Sequence, residues 1–199
     1  MTIIFFIKSS SVDISNYNIK DLTGTTGRLD VIIRCILAAL FNDDGFEKDL
    51  QIWVFLDNYG TYIFNTDLLD YNNFPKNELM LADYFVDLIQ KKEQRLSVIN
   101  NPLSSVKILK TDILDSLVQF QKLKYSIYVL MEGGEDFFNY LQEIQLKENV
   151  LFVVGSQIGD FINSRELLSM KFPEISLGTQ SYLASSVIRL IKLYLLKFV

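Results

Sequence analysis

"VLFVVG", Val150–Gly155, decides how this chain is read. Five apolar residues follow one another without a polar break, three of them valine, and a glycine ends the run. A strand with one wet face would alternate, so an unbroken run belongs to a strand buried on both faces of a parallel sheet. "YSIYVLM" (Tyr125–Met131) has the same character, and "IIFFI" (Ile3–Ile7) reads as a first buried strand.

Outward from these, "QIWVFL" (Gln51–Leu56), "TYIFN" (Thr61–Asn65), Val106–Leu109 and "EISLG" (Glu174–Gly178) read as further strands. Helical spacing marks "RLDVIIRCILAALF" (Arg28–Phe41), stopped by Asn42-Asp43-Asp44-Gly45, and "ELMLADYFVDLIQKKEQ" (Glu78–Gln94). A third helix spans Thr111–Lys122, with Thr111 or Asp112 as its cap, and a last one starts near Ser181. Asp21–Gly27 reads as loop, and Arg95–Ser105, with "NNP", as a linker or exposed loop. Strands alternating with helices predict an α/β fold with a mostly parallel sheet flanked by helices.

At 199 residues the chain fits one domain, or one and a half, with a substantial core. A net charge of −5 argues against a surface that is basic throughout, though not against a local basic patch. Histidine is absent and Cys35 is the only cysteine. That excludes an intramolecular disulfide, Cys/His zinc sites and Ser-His or Cys-His nucleophiles, and it suits a reducing, cytoplasmic setting. Cys35, on the inner face of an apolar helix, reads as a buried hydrophobe. In "SYLASSVIRLIKLYLLKFV" the charges Arg189, Lys192 and Lys197 share one arc of about 140°. The expectation is a core or interface helix with one wet strip, and no membrane span.

Ligands of parallel sheets bind outside the carboxyl ends of the strands. Three segments stand there: "MEGGED" (Met131–Asp136), "GSQIGD" (Gly155–Asp160) and "LGTQS" (Leu177–Ser181). Gly155 would let a flat ligand approach the backbone closely. Ser181 could cap the last helix. "MEGGED" reads as an acidic surface turn, although paired carboxylates can do acid/base work. There is no G-x-G-x-x-G and no P-loop lysine. "TGTTGRLD" (Thr23–Asp30) places Arg28 and Asp30 at the head of a buried helix behind a permissive backbone.

"DLTGTTGRLDVIIRC", "LMEGGED", "FVVGSQIGD" and "ISLGTQSYLASSVIRLI" stand in an order and spacing that resembles the archaeal tRNA pseudouridine-54 N1-methyltransferases. These belong to the SPOUT, or trefoil-knot, methyltransferase superfamily. The resemblance implies one SPOUT domain over residues 1–199, with a deep C-terminal trefoil knot in about 125–199. It implies a homodimer packed through knot helices, a tRNA substrate containing pseudouridine, and S-adenosyl-L-methionine as cofactor, with no metal. Leu130, Gly155, Leu177, Gly178, Thr179 and Val187 would contact the cofactor. Arg28 would hold a phosphate or the uracil edge, and Asp30 would orient or accept the N1 proton. Two alternatives stand beside this: a divergent SPOUT paralogue acting on another RNA, and a catalytically silent knotted dimer that binds RNA or protein.

Overall fold

The computed structural model describes residues 1–155 and 161–196. Their strands form one sheet in the order β4-β3-β2-β1-β6-β5-β7. Strands β1 (Thr2–Ser9), β2 (Leu50–Leu56), β5 (Ser126–Asp136), β6 (Asn149–Val154) and β7 (Glu174–Ser176) run parallel. β3 (Gly60–Asn65) joins β2, and β4 (Lys107–Leu109) joins β3, in antiparallel fashion. The sheet is therefore mostly parallel, as the apolar runs require.

β1 shows how the sheet makes two cores. Ile3, Phe5 and Ile7 enter one, Ile4 and Phe6 the other, because successive side chains of a strand point to opposite faces. Helices α2 (Leu29–Leu40), α3 (Glu78–Glu93), α5 (Phe137–Gln145) and α7 (Ala184–Leu196) cover the first face. Helices α4 (Ile113–Lys122) and α6 (Arg165–Ser169) cover the second. The crossover β5-α5-β6 steps toward β1, whereas β6-α6-β7 steps back past β5. Two right-handed crossovers in opposite directions must put their helices on opposite faces, and these do. The carboxyl ends of β5, β6 and β7 consequently open at one end of the sheet.

Several expectations need correction. "MEGGED" is not a surface turn but the end of β5. Ile175 of β7 pairs with Leu130 and again with Glu135, so the residues between them bulge out of the ladder. Gly134 permits this, since a Cβ there would lie 2.7 Å from the backbone of Glu174 and Ile175. Asp21–Gly27 holds a one-turn helix α1 (Leu22–Thr25), capped by Asp21, which accepts from the Gly24 amide at 3.0 Å. Helices α5 and α6 were not expected. The stretch around Asn101 is pinned, because its side chain donates to Tyr84 O and Asp87 Oδ2, both at 2.8 Å. Asp112, of the two proposed caps, is the one whose side chain caps α4.

The last helix starts at Ala184, not Ser181, and its charges do not form a wet strip. Lys192 is 6% exposed. Its ammonium donates to the carbonyls of Ala38, Ala39 and Phe41 at 3.0, 2.8 and 2.6 Å and lies 3.7 Å from Glu47. Those carbonyls close the last turn of α2, where a helix presents unpaired acceptors and partial negative charge. Lys197 lies outside the described residues.

Candidate functional site

The strand ends of β5, β6 and β7 enclose a cavity of about 590 Å³, within the range of small-molecule sites. Leu130 and Val154 supply its apolar floor, Leu177 and Val187 its far wall, and Gly155 and Gly178 its exposed main chain. Glu132, in the stretch of β5 that bulges from its ladder with β7, adds a carboxylate to the lining.

Hydroxyls lock the rim. Ser176 Oγ donates to Glu132 O at 3.3 Å or Gly178 O at 2.9 Å, and accepts from the Gly178 amide at 3.3 Å. Ser181 Oγ donates to Glu132 Oε1 at 2.6 Å, so it clamps the rim instead of capping α7. Gly178 has φ 116°, a conformation that side chains disfavour.

Five of the six residues expected at the cofactor, Leu130, Gly155, Leu177, Gly178 and Val187, line this one cavity. Thr179 is exposed and off its wall, because the chain turns at Gly178 and presents Gln180 instead. Residues 156–160 of the "GSQIGD" segment lie outside the described residues.

Arg28 and Asp30 are brought together, but away from the cavity wall. Gly27 and Arg28 both have positive φ, 57° and 72°, and α2 begins only at Leu29. Gly27 has no substitute, since a Cβ would lie 1.7 Å from Ser11 O. Buried Thr26 takes the capping role, with its Oγ accepting from the Leu29 amide at 3.2 Å.

The left-handed turn folds the Arg28 guanidinium over Asp30. Nε donates to Oδ1 at 3.0 Å and Nη2 to Oδ2 at 3.4 Å. This bond, and the charge of Asp30, hold the Arg28 proton more tightly than usual. Arg34, one turn further along α2, donates through Nη2 to Asp30 Oδ2 and through Nε to Asp30 O at 3.3 Å. Asp30 is 4% exposed, so it is a buried anion fixing two half-exposed cations. Sequence reasoning missed Arg34. Its spacing of four from Asp30 was the available signal.

Among the described residues, no group of three or more His, Cys, Asp or Glu side chains could hold a metal. No described helix is long and apolar enough to cross a membrane.

A mostly parallel sheet with a small-molecule cavity at its strand ends, and a part-exposed pair of arginines off the cavity wall, fits a nucleic-acid-modifying transferase. The family profile described as "Putative SAM-dependent RNA methyltransferase" matches residues 2–198, and the chain belongs to that family of S-adenosylmethionine-dependent RNA methyltransferases.

Among its relatives is the tRNA (pseudouridine(54)-N(1))-methyltransferase of Pyrococcus abyssi, 26% identical with 96% of each chain covered. The protein of the same name from Thermococcus kodakarensis is 26% identical over 96% of this chain and 97% of its own. In fold, the chain is similar to Archaeoglobus fulgidus Nep1, solved with S-adenosylhomocysteine bound. The TM-score is 0.67 at 20% identity, covering 99% of this chain and 98% of that one.

The cavity suits the family's cofactor in size and lining. Its floor and far wall are apolar, its glycines leave main-chain groups accessible, and Ser176, Gln180 and Glu132 offer polar atoms at the rim. When bound, S-adenosylmethionine supplies a methyl group on an electron-deficient sulfonium. The residues that would hold such a donor are those of the cavity wall, with apolar side chains and accessible main chain on offer.

Proposed function

We propose that this protein transfers the methyl group of S-adenosylmethionine to N1 of pseudouridine 54 in the T-loop of tRNA. It does so as a homodimer in the cytoplasm, with the segment from about residue 125 threaded as a trefoil knot. The single observation that carries the reading is the convergence of Leu130, Gly155, Leu177, Gly178 and Val187 on one cavity. The names of relatives matched along almost the whole chain give the substrate. In support of the knot, the chain steps back past β5 to add β7, and α7 then packs onto α2 and α5.

In this reading the five cavity residues contact the cofactor. Arg28 and Arg34 meet the RNA, with phosphates as the natural partners of a guanidinium fork. Both Asp30 oxygens already accept from guanidiniums, so Asp30 orients the two arginines rather than taking the N1 proton. The dimer is supported by Leu183, Leu193 and Leu196, which stand 46%, 37% and 36% exposed on or beside α7. Leu193 and Leu196, three residues apart, share one face of α7, and covering them would remove apolar surface from water.

Mass spectrometry of nucleosides from tRNA incubated with the protein and S-adenosylmethionine tests the reading. N1-methylpseudouridine at position 54 is the expected product. A methyl group elsewhere in RNA would show a paralogue with another target, and no transfer at all would show a binding protein.

A further inference from the structure

Among the described residues, the cavity wall carries a single charged side chain, that of Glu132. It is also a positioned one. It stands in the bulge of β5, and Ser181 Oγ donates to its carboxylate at 2.6 Å. Ser176 Oγ lies 3.3 Å from its main-chain oxygen. Ser176, the last residue of β7, thus contacts the main chain of Glu132, and Ser181, between β7 and α7, holds its carboxylate at the mouth of an otherwise neutral site. Packing does not require this, because Glu132 is exposed.

Methyl transfer changes the charge of the molecule in such a site. The S–CH3 bond breaks with both electrons left on sulfur, and the methyl carbon bonds to a nitrogen of the RNA whose proton passes to water. The sulfonium becomes a neutral thioether. With its ammonium and carboxylate counted, S-adenosylmethionine bears one net positive charge and S-adenosylhomocysteine none. A fixed carboxylate at the rim attracts the first and is indifferent to the second.

We infer that Glu132 is a specificity-determining residue that makes the site hold the methyl donor in preference to the spent product. It thereby favours product release after each turnover. The inference rests on the cavity being the cofactor site, as proposed above. Because Glu132 is exposed, water screens the interaction, and a preference of about two- to fivefold is the size expected of one such charge pair.

Calorimetry with S-adenosylmethionine and S-adenosylhomocysteine tests this without any turnover. In Glu132→Gln the ratio of the two affinities should fall by about two- to fivefold, and Glu132→Asp should preserve most of it. In the wild type, raising the salt concentration should lower the same ratio, which keeps the idea testable if the glutamine variant does not fold. A ratio unchanged in Glu132→Gln, or insensitive to salt in the wild type, overturns the inference. Val187→Trp, which fills the cavity from α7, separates the two readings. If both ligands bind it normally, the cofactor lies elsewhere and the site assignment falls as well. If both are lost while the glutamine ratio stays unchanged, only the role of Glu132 falls.

Discussion

Lys192 Nζ lies 3.0 Å from the carbonyl oxygen of Ala38, a residue 154 positions earlier in the chain. One buried ammonium thus ties the helix that lines the cavity to the helix that begins at the Arg28–Asp30 pair. Lys192→Met would keep the apolar stem but strand three carbonyls and Glu47. We expect a loss of about 3 kcal/mol, read as a lower urea midpoint at unchanged slope. A midpoint within error of the wild type would mean that water replaces the ammonium freely.

The two leucines at 193 and 195 should behave differently. Leu195 is 1% exposed within the single chain and Leu193 is 37% exposed. Leu195→Glu buries a carboxylate and should unfold the protein. Leu193→Glu should leave the circular dichroism spectrum intact while converting a dimer to a monomer in sedimentation. If that variant still sediments as a dimer, the interface does not run along this face.

The Arg28–Asp30–Arg34 cluster predicts three signatures in RNA binding. Arg28→Ala and Arg34→Ala should each lower affinity and reduce the salt slope by about 0.7–0.9, one phosphate contact apiece. Asp30→Asn should weaken binding as well, because both guanidiniums lose their anchor. At saturating RNA its single-turnover rate should stay within about tenfold of the wild type. A fall of about 10²–10⁴-fold would instead identify Asp30 as the proton acceptor.

At Gly155 a Cβ would meet, among the described residues, only the Ile162 side chain, with Cδ1 at 3.2 Å. Because isoleucine can shift, Gly155→Val should keep the fold and fill part of the cavity floor. Binding of S-adenosylhomocysteine should be abolished. Retained affinity with an intact melting transition would move the site elsewhere.

Burial pushes the Cys35 thiol up to about 12, from an ordinary value of 9.0. Below pH 9 the thiol is protonated in both folded and unfolded chains, and its contribution to stability is fully present. Between about 9 and 12 the unfolded chain loses the proton first, so stability falls as pH rises. Cys35→Ala should cost about 1–2 kcal/mol near neutrality and flatten that alkaline decline. Urea midpoints measured from pH 8 to pH 10.5 would show it, and an unchanged slope would exclude Cys35 as the cause.

Legibility followed the number of residues each element buries. β1, β2, β5 and β6 each place several apolar residues in the core, and their runs stand out in the sequence. Helix α5 buries only Phe137 and Ile144, and α6 only Leu167, too few to impose a period. The cavity was readable because strand ends are where parallel sheets bind ligands. The anchoring of Glu132 was not, since its partner Ser181 lies 49 positions further along the chain. Lys192 misled for a related reason: a charge on a helix looks wet until its acceptors, far away in sequence, are known.

The sheet ends on both sides in a strand of three residues, β4 and β7, while strands between them run to eleven. A bare sheet edge is a template on which another chain can add itself, and the danger grows with edge length. β4 carries exposed Lys107, and β7 follows Pro173, which has no amide hydrogen to offer. A chain that contains "IIFFI" and "VLFVV" has the raw material of amyloid. It keeps those runs in the middle of the sheet and leaves outside only edges too short and too interrupted for a stranger to extend.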